Sequence, residues 1–279
     1  MPAILPITRT KIKAYLEVFI ENLVREYKDK TFSVFESPSQ YLAHESRKGE
    51  IKPFHAAIIP VQIMRISAFE RSFSTTLGTT FEECAKLIAL DHHPEAVRGY
   101  DISGEISTQA INEIEHQVAR FEHAAEEKGK KPTLDQMIEA VQKAERKDDL
   151  ATRTVRADLF IRTKEGTQYF FEMKSPVPNK GQCLEVTQRI LRIHQLTKKI
   201  RPEVQAYFAM AYNPYGTARK DYRWSFAINY TPFDQSVIIG QEFWNIVGGP
   251  TAYTELLEIY QEVGREKSKF MLDALAFGF

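Results

Sequence analysis

The chain has 279 residues, 43% of them apolar and 11% aromatic, so it can bury a large core and is too apolar to remain disordered. No apolar run approaches the roughly 20 residues of a membrane span, and the start of the chain lacks the zones of a secretion signal, which excludes a membrane protein and points to the cytoplasm. Equal numbers of basic and acidic residues, 37 each, argue against a protein that coats nucleic acid indiscriminately and leave room for a locally charged cleft.

Ile12, Leu16, Phe19, Leu23 and Tyr27 keep helical spacing, which predicts an amphipathic helix over residues 10–28. An irregular stretch follows through Pro53, then a helix from Val61 to Leu77. Gly78 is expected to interrupt it, with Thr80 capping a third helix that carries Phe81, Cys84, Ala85 and Ile88. Ile111, Ile114, Val118, Phe121 and Ala125 predict a long helix up to Gly129, and Thr133 caps another with Leu134, Met137, Ile138 and Val141 on one face. Residues 107–149 alternate both signs of charge, as in a solvated helical hairpin with one sticky stripe, or else a dimerisation arm. Glu145 to Asp149 is the candidate joint between a helical region, 1–150, which packs on the core and serves dimerisation and DNA grip, and a catalytic core, 151–279, the two forming one compact body. Cys84 and Cys183, far apart and without partner motifs, fit buried thiols in a reducing compartment.

From residue 153 the pattern changes to strand, hairpin, helix, strand. Strands are predicted over 155–162 and 168–174, a helix over 182–200 and an apolar central strand over 204–211. This order predicts an α/β (α+β) fold, a mixed central sheet flanked by helices.

Between the first two strands lies Thr163-Lys164-Glu165-Gly166-Thr167, whose glycine supplies the positive φ of a short hairpin loop. If residues 164–166 form the loop, Thr163 pairs with Thr167 and Asp158 falls opposite Glu172. Opposite residues share a face with Cβ atoms roughly 4.5–5.5 Å apart. Lys174, two residues on, joins that face. Two carboxylates and an amine suit phosphodiester cleavage: Mg2+ takes carboxylate, water and phosphate oxygens, and the ammonium assists the attacking water and offsets charge on the phosphate. A cross-strand ion pair on a solvated ribbon is the plainer alternative. The apolar setting, Ala157 to Ile161 and Tyr169 to Phe171, speaks against it, because charge in a largely buried sheet needs a partner or a metal.

After Lys174 the run Ser175-Pro176-Val177-Pro178 cannot continue a sheet and must be a loop at the active edge. Lys180 and Gln182, at the next helix start, are placed to meet DNA phosphate. The run from Tyr212 to Trp224 interleaves turn formers, aromatics and bases at the same edge. Arg219, Asp221 and Arg223 suit guanine and cytosine edges, with Asn213 and Lys220 beside them; a loop anchored by Tyr222 and Trp224 is the alternative. Arg192, Lys198, Lys199 and Arg201 form a second basic segment.

Ala157-Asp158 followed by Glu172-Met173-Lys174 resembles the PD-(D/E)xK nuclease core, with Ala157 where the motif has proline. Ser72 to Ala85, the Tyr212-Asn213-Pro214-Tyr215-Gly216 loop, Gly240 to Gly249 and Thr251 to Tyr260 are similar to type II restriction endonucleases of the TdeIII type. That resemblance implies Mg2+ as cofactor, double-stranded DNA as substrate, a short palindromic site of the GGNCC kind, a homodimer and a cognate DNA methyltransferase. It also implies a helical acidic residue at the metal site, for which Glu82 is the candidate and Glu70 and Glu83 its rivals. A structure-selective repair or junction-resolving nuclease, or a non-catalytic DNA-binding protein of the same fold, are the other readings. No Walker loop, dinucleotide fingerprint, nucleophile elbow or zinc spacing is present.

Overall fold

The computed structural model describes residues 2–28, 30, 37–43, 45, 52–200 and 204–277. In chain order the elements are α1 (Pro6–Lys28), α2 (Pro38–Leu42), α3 (Pro53–Ile58), α4 (Val61–His92), β1 (Glu95–Ser107), α5 (Thr108–Glu126), α6 (Leu134–Ala144), β2 (Leu150–Arg162), β3 (Gln168–Met173), α7 (Lys180–Thr197), β4 (Gln205–Met210), α8 (Ser225–Tyr230), α9 (Phe233–Ser236), β5 (Val237–Ile239), α10 (Gln241–Gly248) and α11 (Ala252–Leu272). The irregular stretch expected before Pro53 lies largely outside the described residues, as does Arg201.

Two compact units emerge. One comprises residues 1–8 and 81–256, and the other residues 9–80 and 257–279. Residues 81–150 therefore share a unit with the segment that carries the hairpin.

The larger unit is built on a five-stranded mixed sheet in the order β1-β2-β3-β4-β5. β1 pairs with β2 and β2 with β3 antiparallel, while β3, β4 and β5 are mutually parallel. Cys183, Val186, Ile190 and Ile193 of α7 join Phe160, Phe170, Ala206 and Phe208 in one buried cluster, extended by Ile114 and Phe121 of α5 and Met137 and Val141 of α6. The apolar stripes of the 107–149 hairpin thus complete this core. On the other face, Phe243 of α10 meets Phe171 edge-on at 5.3 Å between ring centroids. The reason for a mixed sheet is the crossover: β3 reaches β4 through a helix, which forces the two strands parallel, whereas the tight loop after β2 forces an antiparallel return.

The hairpin has the expected register. Thr163 N donates to Thr167 O at 2.9 Å, Gly166 takes φ +90°, and the ladder runs from Arg162 opposite Gln168 to Leu159 opposite Phe171. One strand escaped the sequence reading. Residues 95–107, taken as part of a helical first half, form β1, which pairs with β2 from Glu95–Arg162 to Ser107–Leu150. Its alternation, with Ile102 and Ile106 buried and Asp101, Ser103 and Glu105 exposed, is interrupted by Gly99 at φ +61°, where a Cβ would fall 2.2 Å from the Arg156 guanidinium. A second difference concerns α4, which runs unbroken through Gly78. Thr80 does not cap a new helix; its hydroxyl donates back to Leu77 O at 2.7 Å. A glycine in an exposed helix turn costs only about 1 kcal/mol, which the rest of a long helix absorbs.

In the smaller unit, Ile12, Leu16, Ile20, Leu23 and Val24 of α1 are buried, with Phe19 against Phe73 at 5.7 Å and Tyr27 against Phe69 at 6.3 Å. Glu262 of α11 pairs with Arg9 and Lys13, each at 2.8 Å.

Candidate active site

β3 ends at the edge where the antiparallel ladder with β2 stops, and the side chain of Asp158 takes over from the ladder: its Oδ2 accepts the Met173 amide at 2.7 Å. This bond fixes the Asp158 carboxylate one step beyond the last paired residues, opposite Glu172. Glu172 is 1% exposed. Its Oε1 lies 2.6 Å from Lys174 Nζ and 3.1 Å from Arg189 Nη1, and its Oε2 accepts from Arg189 Nη1 at 3.2 Å. The structure thus brings Asp158, Glu172 and Lys174 together at one strand end, and the Lys174 amide, donating to Ala209 O at 3.2 Å, ties that end to β4.

Burial pushes the Glu172 carboxyl above the usual range, the neighbouring Asp158 carboxylate adds to the rise, and Lys174 and Arg189 oppose it. Oε1 is buried and faces both cations, with Lys174 Nζ the nearer. A buried carboxylate is costly unless cations or a metal compensate it. No three His, Cys, Asp or Glu side chains converge as a metal cage among the described residues. The donor set is therefore two carboxylates, which fits a hard cation that keeps water and phosphate oxygens as its remaining ligands.

The acidic residues of α4 do not join this pair. Glu82 Oε2 takes the Arg98 guanidinium at 2.8 Å, and Glu83 takes Arg98 at 2.9 Å and Lys86 at 2.5 Å. Arg98 pairs with Leu159, the neighbour of Asp158, whose side chain points to the other face of the sheet by the two-residue alternation. Glu70 lies in the smaller unit, where it accepts from Ser74 Oγ at 2.7 Å.

The expected DNA-contacting residues divide into two groups. Lys180 Nζ is held at 2.5 Å by both Glu122 and Glu126, and Gln182 closes a capping box with Asn179. Arg219 donates to Val237 O at 2.7 Å, Phe233 O at 2.7 Å and Glu242 at 2.9 Å, and lies over the Phe233 ring. Asn213 bonds the Tyr215 amide and the Ala218 carbonyl, and Asp221 Oδ2 accepts the Ala218 amide at 3.0 Å. These five shape the protein. Lys220 and Arg223 are exposed on the same loop, with no ion pair among the described residues. The other basic segment sits elsewhere: α7 runs back from the β3 exit to the start of β4, so Lys198 and Lys199 lie at the end of the sheet away from Lys174, and Lys198 pairs with Glu145.

Arg189 was not singled out from sequence. The available signal was a cation on α7 three residues after buried Val186 and one before buried Ile190, hence at the inward edge of the helix, where a charge needs a partner.

The model of the HinfI type II restriction endonuclease family matches residues 8–264. The chain is 48% identical over 266 residues to the type II restriction enzyme HgiEI of Herpetosiphon aurantiacus, covering 95% of this chain and 96% of that protein, and 48% identical over 266 residues, with the same coverage, to HgiBI from the same organism. HgiCII, also from Herpetosiphon aurantiacus, is 46% identical over 263 residues, covering 94% and 96% of the two chains. With a family match from α1 into α11 and relatives aligned nearly end to end, the chain belongs to the HinfI family of type II restriction endonucleases.

Proposed function

We propose that this chain is a Mg2+-dependent restriction endonuclease with a PD-(D/E)xK core, cutting double-stranded DNA at a short palindromic G·C-rich site of the GGNCC kind, as its resemblance to the TdeIII type implies. The observation that carries the chemistry is the strand end at which the Met173 amide fixes Asp158 opposite Glu172, a buried carboxylate with Lys174 Nζ 2.6 Å away. Asp158 and Glu172 would hold the metal, which when bound supplies Lewis-acid polarisation of the phosphate and a more acidic water. Lys174 orients the attacking water and offsets phosphate charge, and in-line attack leaves a 5′-phosphate and a 3′-hydroxyl. Arg189 aligns the Glu172 carboxylate from α7. Lys220 and Arg223 contact DNA from the loop after β4, which leaves the sheet at the same edge because β3 and β4 are parallel. A homodimer matches the two-fold symmetry of a palindrome, with the N-terminal helices serving subunit contact and DNA grip, and a cognate methyltransferase protects the host's own sites in the cytoplasm.

Asp158→Ala and Lys174→Ala test the reading. Either change should reduce plasmid cleavage by more than about 100-fold while leaving folding and specific DNA binding in place. Unchanged digestion by either variant refutes the assignment. Sequencing the ends cut by the wild-type enzyme on bacteriophage DNA defines the site and the stagger.

A further inference from the structure

The loops that follow β3 and β4 are fastened to each other at two points with the same spacing. Tyr222 Oη donates to Pro176 O at 2.7 Å and Trp224 Nε1 donates to Pro178 O at 2.6 Å. Residues 176 and 178 of one loop thus face residues 222 and 224 of the other. Tyr222 and Trp224 have extended backbones, with ψ of 127° and 108°, the conformation in which successive side chains alternate in direction. Burial follows the alternation: Pro176, Pro178 and Tyr222 are buried and Trp224 is half-buried, while Val177 is 45% exposed and Arg223 is exposed. Tyr222 is further wedged against Phe233, stacked at 5.5 Å, and Tyr215, edge-on at 5.7 Å. Proline carbonyls suit this role, since prolines stiffen the receiving loop and have no amide hydrogen to compete.

We infer that Tyr222 and Trp224 are positioning residues that hold Arg223, with Val177 beside it, in register with the strand exit carrying Lys174, so that contact with the correct base is coupled to cleavage. The inference rests on the nuclease reading and deepens it. A guanidinium thirteen residues beyond the end of β4 at Met210 would move independently if its loop were free; two buried or half-buried hydrogen bonds make the two loops one body. A paired guanidinium contact discriminates between bases only when its base of support is fixed. Val177 supplies an apolar surface for a thymine methyl or a sugar edge next to it.

Tyr222→Phe removes one hydrogen bond and keeps the ring. On the site mapped for the wild-type enzyme, kcat should fall with KM unchanged, and the ratio of cleavage at that site to cleavage at sites changed by one base pair should drop about tenfold, the size of one base contact. Phe243→Leu, a core change on the other face of the sheet, serves as a control of lowered melting temperature and should keep the wild-type ratio. A folded Tyr222→Phe enzyme with the wild-type ratio, or an equal loss in Phe243→Leu, overturns the coupling. Should Tyr222→Phe not fold, Trp224→Phe read in the same way decides it. Failure of the wild-type chain to cut any DNA overturns the nuclease reading and the coupling with it, whereas wild-type cutting with unaltered variant ratios overturns the coupling alone.

Discussion

The strand end at β3 and the loop after β4 leave the sheet side by side, but their charged residues are used differently. At the strand end the ladders satisfy most of the backbone, Asp158 accepts the one Met173 amide beyond the β2 ladder, and Glu172 and Lys174 are left to meet each other. In the loop no ladder exists, and Asn213, Arg219 and Asp221 supply the hydrogen bonds that backbone amides and carbonyls would otherwise lack. Polar side chains of the irregular segment are taken up by backbone groups, whereas at the strand end, where ladders satisfy most of the backbone, Glu172 and Lys174 pair with each other.

That contrast can be broken most easily at Arg219. If its role is internal, Arg219→Ala strands two carbonyls and the Glu242 carboxylate and should destabilise the fold by about 3 kcal/mol, measured by denaturant unfolding, with DNA affinity per folded molecule nearly unchanged. A stable variant that binds DNA weakly would place Arg219 on the DNA instead. At the strand end, if Asp158 and Glu172 hold Mg2+ as proposed, Arg189→Gln should leave the fold in place and weaken that binding about tenfold, read both as the metal dependence of cleavage and as the metal-induced rise in melting temperature without DNA. An unchanged metal response would show that Arg189 only packs α7. The smallest effect is expected at Lys220: Lys220→Ala should weaken binding evenly across sequences and lower the salt dependence by about one counterion, measured by titration at several ionic strengths. A change in sequence preference would make it a base contact.

The acidic pair on α4 shows the same lesson on a helix. Glu82 and Glu83 looked equivalent to a third metal ligand as helical glutamates beside a sheet, but Arg98 and Lys86 occupy them. Arg98 could not be seen as their partner because β1 itself was hidden: Gly99 at positive φ breaks its two-residue alternation, and a pattern of charged residues with a glycine reads as loop or helix surface. Gly78 misled in the other direction, since a glycine interrupts a helix only where packing does not hold both sides of it.

Much was decided within short stretches of the chain. The loop length from Thr163 to Thr167 and the period of two along each strand were enough to place Asp158 opposite Glu172 and Lys174 on their side, and helical spacing marked α1, α5, α6 and α7. These features depend on near neighbours, whose geometry follows from covalent and hydrogen-bond rules. Tertiary structure alone decided which charges remained available. Pairing of Glu172 with Arg189, of Glu82 with Arg98 and of Arg219 with Glu242, and the fastening of Tyr222 and Trp224 to two prolines, join residues 16 to 46 positions apart. No local periodicity encodes such contacts, because they arise only when separate elements are packed and each buried polar group takes the nearest partner.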